Sequence, residues 1–259
     1  MKVLILAAGH GNKLRPLTNE MPKCMIEVNG KSIIDRQLDA IRACGIHDED
    51  ITVVCGYCSD ILQEKFKDTA IHFIVNEHYD TTNKVYSMMC AKKLLETEQD
   101  VIVSYGDIVY EASVFQAIME AKDEISVLID DGWLGYWSER FDNPLRDAKT
   151  LMLSPDGYLT EIGQKTRELA RVQSQYVGLM HFRKQGLKQV LALNAEAERR
   201  DRDGQRLWRT TRNYAKMHIT DLLQGLIDEG YKIKAVHIRR GWFEIHGYDD
   251  LRIAEEKLR

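Results

Sequence analysis

No apolar run in this 259-residue chain approaches the roughly 18–20 residues that span a bilayer. The first apolar stretch is too short, and broken too soon, to read as a secretory signal. A basic surplus is also missing. Against 36 Lys and Arg stand 40 Asp and Glu, a formal net charge of -4, which argues against a nucleic-acid binder. The five cysteines, Cys24, Cys44, Cys55, Cys58 and Cys90, are an odd number scattered through expected core elements. That pattern reads as reduced thiols in a cytoplasmic protein. There is no internal repeat, no low-complexity linker and no second cysteine pair to complete a zinc site. What remains is 44% hydrophobic material, enough for one large domain or a domain with a subdomain.

Short apolar strands alternate with amphipathic helices through the first half. Strands are expected at Val3–Ala7, Met25–Val28, Ile51–Val54, Ile71–Val75, Val101–Ser104 and Ile125–Ile129. Helices are expected from Ile33 to Cys44, Ser59 to Phe66 with Ser59 as cap, Asn83 to Leu95, and Ala112 to Ala121. Such a rhythm predicts an α/β fold, Rossmann-like and doubly wound, with a mostly parallel sheet and helices on both faces. From Gly132 to Phe182 the rhythm changes around the turn Ser154-Pro155-Asp156-Gly157, which predicts a small antiparallel insertion contacting substrate. The expected organisation is therefore one domain over 1–259, with 132–182 as a substrate-binding insertion. Helix is expected again over Gln185–Arg200. The densely charged stretch from Glu196 to Arg212 reads as a mobile or interacting surface loop, and it is the candidate surface for a homo-oligomer. A helix capped by Thr220, strands at Lys232–His237 and Trp242–Ile245, and a helix over Tyr248–Leu258 complete the expectation.

The chemistry is concentrated at the start. The strand Val3–Ala7 empties into a loop with Gly9 and Gly11, followed by Lys13, Arg15 and Lys23. Backbone N–H groups of such a loop converge on an anion, and the basic side chains add countercharge for a nucleoside triphosphate. A dinucleotide fingerprint is disfavoured, because its third glycine position holds Leu14 and Pro16 follows. Gly30-Lys31-Ser32 mimics the end of a phosphate-binding P-loop, but Met25 stands where the earlier glycine is required. Cys55-Gly56-Tyr57-Cys58 has the placement of a thiol–disulfide site and remains a competing reading. Tyr105-Gly106-Asp107 puts a carboxylate at the end of a central strand, where Mg²⁺ takes one or two protein carboxylates with phosphate oxygens. A plain Gly-Asp turn is the alternative there.

Leu6-Ala7-Ala8-Gly9-His10-Gly11, Leu14-Arg15-Pro16-Leu17-Thr18 and Met21-Pro22-Lys23 together resemble the signature of nucleotidyltransferases acting on sugar phosphates and related phosphate esters. Val28-Asn29-Gly30-Lys31, Val54-Cys55-Gly56-Tyr57, Gly106-Asp107, Ile219-Thr220-Asp221-Leu222 and Gly241-Trp242-Phe243-Glu244-Ile245 extend the likeness over essentially the whole chain. Asn83-Lys84-Val85-Tyr86-Ser87-Met88 resembles the choline-phosphate and phosphonate cytidylyltransferase branch. The resemblance implies a sheet of the nucleotide-diphospho-sugar transferase type and transfer of CMP from CTP to a small phosphate or phosphonate acceptor. The acceptors it leaves open are phosphocholine-, phosphonate- and phosphoamino-acid-like. A hexose-1-phosphate nucleotidyltransferase using UTP, dTTP or GTP, and a non-catalytic nucleotide-binding relative, are the alternatives.

The same resemblance implies roles. Lys23 and Lys13 would be catalytic, Lys13 on the β- and γ-phosphates and Lys23 between nucleophile and α-phosphate. Leu6, Ala7, Ala8, Gly9, His10, Gly11, Gly56, Tyr57, Asn83, Ser87 and Gly106 would surround the nucleotide. Asp107 would hold Mg²⁺, with Glu244 or His246 as second ligand. Relatives carry aspartate at the His246 position and arginine at the Lys13 position. Imidazole is a poor Mg²⁺ ligand, so Glu244 takes over, or Asp107 and phosphates suffice, or a softer ion such as Mn²⁺ serves, or the site is degraded. For the acceptor, Tyr86, the aromatics Trp133, Tyr136 and Trp137, and the cations Arg140 and Lys165 are the candidates. The aromatic trio suits a quaternary ammonium, although packing within the insertion explains it equally well.

Overall fold

The computed structural model describes residues 1–258. Seven strands form the central sheet: β1 (Lys2–Leu6), β2 (Ile51–Cys55), β3 (His72–Val75), β4 (Asp100–Tyr105), β5 (Ile125–Asp130), β6 (Gln175–Arg183) and β7 (Lys234–Ile238). Their spatial order is β7-β5-β6-β4-β1-β2-β3. All neighbours run parallel except β6, which is antiparallel to both β4 and β5. Alternation along β1 sends Val3 and Ile5 to one face, against the helices Ile33–Ala43 and Ala112–Met119. Leu4 and Leu6 go to the other face, against the helices Lys84–Cys90, Lys184–Arg202 and Ile219–Asp228. The sheet is thus doubly wound, with an apolar core on each face, as its sequence rhythm predicts.

From β1 the chain steps outward to β2 and β3, then crosses back to β4 on the other side of β1. The gap beyond the carboxyl ends of β1 and β4 is therefore the topological switch point, where open α/β sheets bind ligands. A short antiparallel pair, Ile108–Tyr110 with Trp242–Glu244, folds the C-terminal segment back against the end of β4. The Asp107 carbonyl also accepts from the Ile245 N–H at 2.9 Å. Residues more than 130 positions apart in sequence are brought side by side at the switch point.

Several boundaries differ from the sequence expectation. Ser59 is the first residue of its helix rather than the cap, because Cys58 precedes it in the left-handed region (φ 48°) with no capping bond. His218, not Thr220, caps the helix Ile219–Asp228. The expected helix Asn83–Leu95 is two, Lys84–Cys90 and Lys92–Thr97, with Asn83 accepting from the Lys84 N–H at its start. The unit inserted after β5 is narrower than 132–182, because Gln175–Arg183 is a full strand of the central sheet. It opens with a helix, Trp133–Arg140, and continues as a hairpin of Lys149–Leu153 with Leu159–Lys165. The charged stretch 196–212 is anchored rather than loose. Its first part ends the helix Lys184–Arg202, Leu207 is buried, and Arg200 stacks on Trp208 at 4.6 Å.

At the end of β5, Asp130 is fully buried. It accepts from Trp242 Nε1 (2.9 Å), Arg240 Nη1 (2.7 Å) and the N–H groups of Gly132 (2.8 Å) and Arg240 (2.9 Å). Removing one partner of such a cluster strands the others in low dielectric. Asp130→Ala is expected to lower the unfolding free energy by about 3–5 kcal/mol, and Asp130→Asn by less, in urea titrations followed by circular dichroism. Equal stability of Asp130→Ala and the wild type would show that this cluster does not anchor the C-terminal strand.

Candidate active site

The loop leaving β1 is shaped from within. Ala7 donates its N–H to the Val54 carbonyl at 2.8 Å, and the Ala8 carbonyl accepts from the Tyr57 N–H at 3.2 Å. From Gly9 through Asn12 no backbone N–H meets a protein acceptor among the described residues, which leaves a row of donors for an anion. Gly11 lies at φ +69°, and a Cβ there would meet Lys23 Cβ at 2.9 Å. The Thr18 hydroxyl, fully buried, donates to the Gly11 carbonyl at 2.9 Å and fixes the loop against Lys23's segment. Gly56 is required by close approach, since a Cβ would fall 2.6 Å from Tyr79 Cβ and 2.9 Å from the Ala8 carbonyl oxygen. The imidazole of His10 lies 4.8 Å from the Tyr57 ring and 5.0 Å from the Tyr79 ring. Leu6, buried, contributes its carbonyl, which accepts from the Gly106 N–H at 2.9 Å.

Charge converges on Asp107. Lys23 Nζ stands 2.9 Å from its Oδ2, and Lys84 Nζ lies 3.4 Å from the same oxygen. Burial by itself would raise the carboxyl, but Lys23 and Lys84 outweigh it and hold the group well below the usual carboxylate range. Lys84 also rests over the Tyr105 ring at 3.7 Å, so its ammonium is held by a face and a carboxylate together. Lys13 Nζ lies 2.7 Å from His246 Nε2. Burial first, then the ammonium charges of Lys23 and Lys13, depress the His246 imidazolium despite Glu244 and Asp107. A neutral imidazole accepts a hydrogen bond from Lys13 at Nε2, which ties the glycine loop's lysine to the C-terminal segment.

Glu244 is set by a buried cation. Arg140, with a side chain only 2% exposed, donates from Nη2 to Glu244 Oε2 (2.9 Å) and from Nε to Asp250 Oδ1 (2.6 Å). Asp250 in turn accepts the N–H groups of His246 (2.9 Å) and Gly247 (2.8 Å). The Tyr136 hydroxyl accepts from the Glu244 N–H at 3.0 Å. Arg140 therefore positions Glu244 and His246 and is not available to an acceptor phosphate. Trp133 and Tyr136 correct the expected aromatic wall in the same way. Both are buried, and Tyr136 packs edge-on to Trp137, Trp242 and Phe243.

A cavity of about 420 Å³ opens beside Asp107. Asn83, Lys84, Trp137, Glu244 and His246 line it with Lys149, Gln175 and Arg212. Lys165 faces a neighbouring groove with Arg146, Lys149 and Arg167 instead, a correction to its expected place. Ser87 is turned inward, its hydroxyl accepting from Asn76 Nδ2 at 3.1 Å, so it does not present itself to a base or ribose. Tyr86 lies outside that lining, edge-on to His78 and Tyr214. The sequence assigns no role to Lys84, Tyr79 or Thr18, although Lys84 and Thr18 stand inside the motifs that carry the resemblance. The competing thiol reading fails on chemistry, because burial pushes the Cys55 thiol up to about 11 where a redox nucleophile needs the opposite.

No group of three or more His, Cys, Asp or Glu side chains poised for a metal exists among the described residues. The donor set nevertheless suits Mg²⁺ in part. Asp107 and Glu244 offer oxygens into one cavity, and phosphate oxygens complete such sites. His246 does not fit, being a nitrogen donor already engaged by Lys13. No helix among the described residues is long and apolar enough to cross a membrane.

The profile of the MobA-like NTP transferase domain matches residues 3–212. A CTP:phosphoglutamine cytidylyltransferase of Campylobacter jejuni subsp. jejuni serotype O:2 is 40% identical, covering 99% of this chain and 100% of its own. A choline-phosphate cytidylyltransferase of Streptococcus pneumoniae is 37% identical over 37% of this chain and 41% of its own. The inositol-1-phosphate CTP transferase of T. maritima shares the fold, with a TM-score of 0.73 at 17% identity over 98% of this chain and 93% of that one.

Lys23→Ala is expected to lower turnover by about 10²–10³-fold while the circular dichroism spectrum stays unchanged. A near-wild-type rate would remove Lys23 from the chemistry. His246→Ala frees Lys13 of one neutral hydrogen bond and is expected to lower kcat/KM for the nucleotide by roughly tenfold in steady-state kinetics.

Proposed function

The chain belongs to the family of MobA-like NTP transferase domains and is a nucleotidyltransferase, and we propose that it transfers CMP from CTP to a phosphorylated amino acid of the phosphoglutamine type. The observation that carries this reading is the likeness, end to end, to a relative named for CTP and phosphoglutamine. The site supports it physically. A triphosphate carries several negative charges, and Lys13, Lys23 and Lys84 stand beside a loop of unpaired N–H donors.

An acceptor phosphate oxygen attacks the α-phosphorus of CTP in line. The new O–P bond forms as the bond from the α-phosphorus to its bridging oxygen breaks, and pyrophosphate leaves with that electron pair. The acceptor is already ionised at neutral pH, so no general base is needed. Catalysis comes from alignment and charge neutralisation. The N–H groups of Gly9–Asn12 hold the phosphates, Lys13 takes the β- and γ-groups, and Lys23 lies between nucleophile and α-phosphate. Ala7, Ala8, Gly56 and Tyr57 border the base, and Lys84 adds charge on the acceptor side. Asp107 and Glu244 would hold Mg²⁺, which supplies charge neutralisation on the triphosphate. His246 serves as a partner to Lys13 rather than as a ligand.

A pyrophosphate-release assay with each nucleotide and a panel of acceptors tests this. CTP with phosphoglutamine is expected to give the highest kcat/KM, with CTP alone raising Tm in a thermal-shift screen of the four nucleotides. Turnover with UTP, dTTP or GTP and a hexose 1-phosphate would overturn the assignment. Binding without pyrophosphate release from any pair would mark a non-catalytic relative.

A further inference from the structure

At the part of the cavity built by the inserted hairpin, a second set of polar groups keeps hydrogen-bonding capacity that no protein group among the described residues uses. Gln175 is only 6% exposed, and its Nε2 donates to the Lys149 carbonyl at 2.9 Å. That bond fixes the amide orientation, because a carbonyl cannot accept from Oε1. Oε1 has no protein donor, is not sealed off, and belongs to the cavity wall. It is an acceptor open to the cavity, with room for an N–H. Asp147, an exposed residue at the rim of the same cavity, has a carboxylate with no partner among the described residues. Two cations accompany these acceptors. Lys149 Nζ bonds only the Asp147 backbone carbonyl, and Arg212 spends Nη1 on Asp221 (3.1 Å to each oxygen) and Thr210 (3.3 Å). Arg212 Nε and Nη2 remain unpaired among the described residues, and the side chain is 39% exposed.

Two acceptors beside two cations form a pattern for a zwitterion. We propose that this end of the cavity reads the α-amino-acid head of the acceptor, with Lys149 and Arg212 on its carboxylate and Asp147 and Gln175 Oε1 on its ammonium. The assignment rests on the phosphoamino-acid reading above and deepens it. With the phosphate on the side-chain amide of glutamine, the head group is the distal end of the molecule. Phosphate at Asp107 and head group at Lys149 then occupy opposite ends of one cavity. Rejection follows from the same groups. Phosphocholine would bring a trimethylammonium with no N–H for Gln175 and no anion for Lys149 or Arg212. A site that hydrogen-bonds its substrate discriminates strongly against analogues that leave its polar groups unpaired.

The test compares phosphoglutamine with its descarboxy and desamino analogues and with phosphocholine, using the full-length protein, CTP and pyrophosphate release. Each glutamine analogue is expected to lose about tenfold or more in kcat/KM against phosphoglutamine. Lys149→Met and Arg212→Gln are expected to raise the KM for phosphoglutamine about tenfold with the KM for CTP unchanged. Neither should weaken use of the descarboxy analogue further, and Arg212→Lys should restore part of the loss. A CTP-induced rise in Tm shows that each variant is folded. Equal use of phosphoglutamine and both analogues by the wild type, or variants with unchanged KM, would overturn the head-group assignment alone. Preference for phosphocholine or a hexose 1-phosphate would overturn both it and the acceptor class.

Discussion

One carboxylate between two ammonium groups sets the constraint around which the site is organised. Asp107 stands at the carboxyl end of a central parallel strand, where the sheet opens and the chain changes direction. Burial there disfavours an ion, and the charges of Lys23 and Lys84 outweigh it and hold the carboxyl well below the usual range. Those same lysines come from segments that the fold delivers separately, one after the glycine loop and one at the start of a helix. Both close on the same anion.

Around this centre, buried ion pairs do the positioning. Arg140 is enclosed by Tyr136, Trp137 and Phe141 and spends two of its nitrogens on Glu244 and Asp250. An arginine so enclosed cannot serve a substrate. It orients the segment that carries Glu244 and His246, and through His246 it bears on Lys13. The neutral imidazole of His246 accepts a hydrogen bond from Lys13. Lysine carries a point charge without the bidentate fork of arginine, and a fixed acceptor orients it.

The acceptor side is built differently. Its wall comes from the hairpin Lys149–Leu153 with Leu159–Lys165, from β6, and from the start of the helix Ile219–Asp228. A register shift in β6 between Tyr176 and Met180 interrupts its pairing to β5 beside Tyr105, with Tyr105 and Tyr176 packed edge-on at 5.7 Å. Gln175, Tyr176 and Val177 there face the cavity. Polar groups meet in this wall from parts of the chain that share no sequence pattern.

Periodicity, the glycine loop and Gly106-Asp107 were legible in the sequence because each is local. Alternating apolar residues fix strand faces, and a strand ending in glycines leaves its N–H groups unpaired wherever it is placed. Double winding followed from the rhythm, and the glycine loop, Lys23 and Asp107 meet at the switch point of the sheet. Trp133, Tyr136 and Arg140 were misread, since an aromatic and cationic helix looks the same in sequence whether it faces a ligand or a core. Ser87 was misread for the same reason, because only packing turned its hydroxyl toward Asn76. Lys149, Gln175 and Arg212 carry no motif, and Lys84 stands inside one that assigns it no role. They reach the cavity from the start of a helix, the inserted hairpin, an antiparallel strand within a parallel sheet and the segment before the helix Ile219–Asp228. The sequence by itself thus determined the sheet and the glycine loop with its lysines, where the pattern is written in consecutive residues. Tertiary structure alone decided the lining of the cavity beside Asp107, because charges that converge across long separations in the chain become neighbours only when the sheet closes.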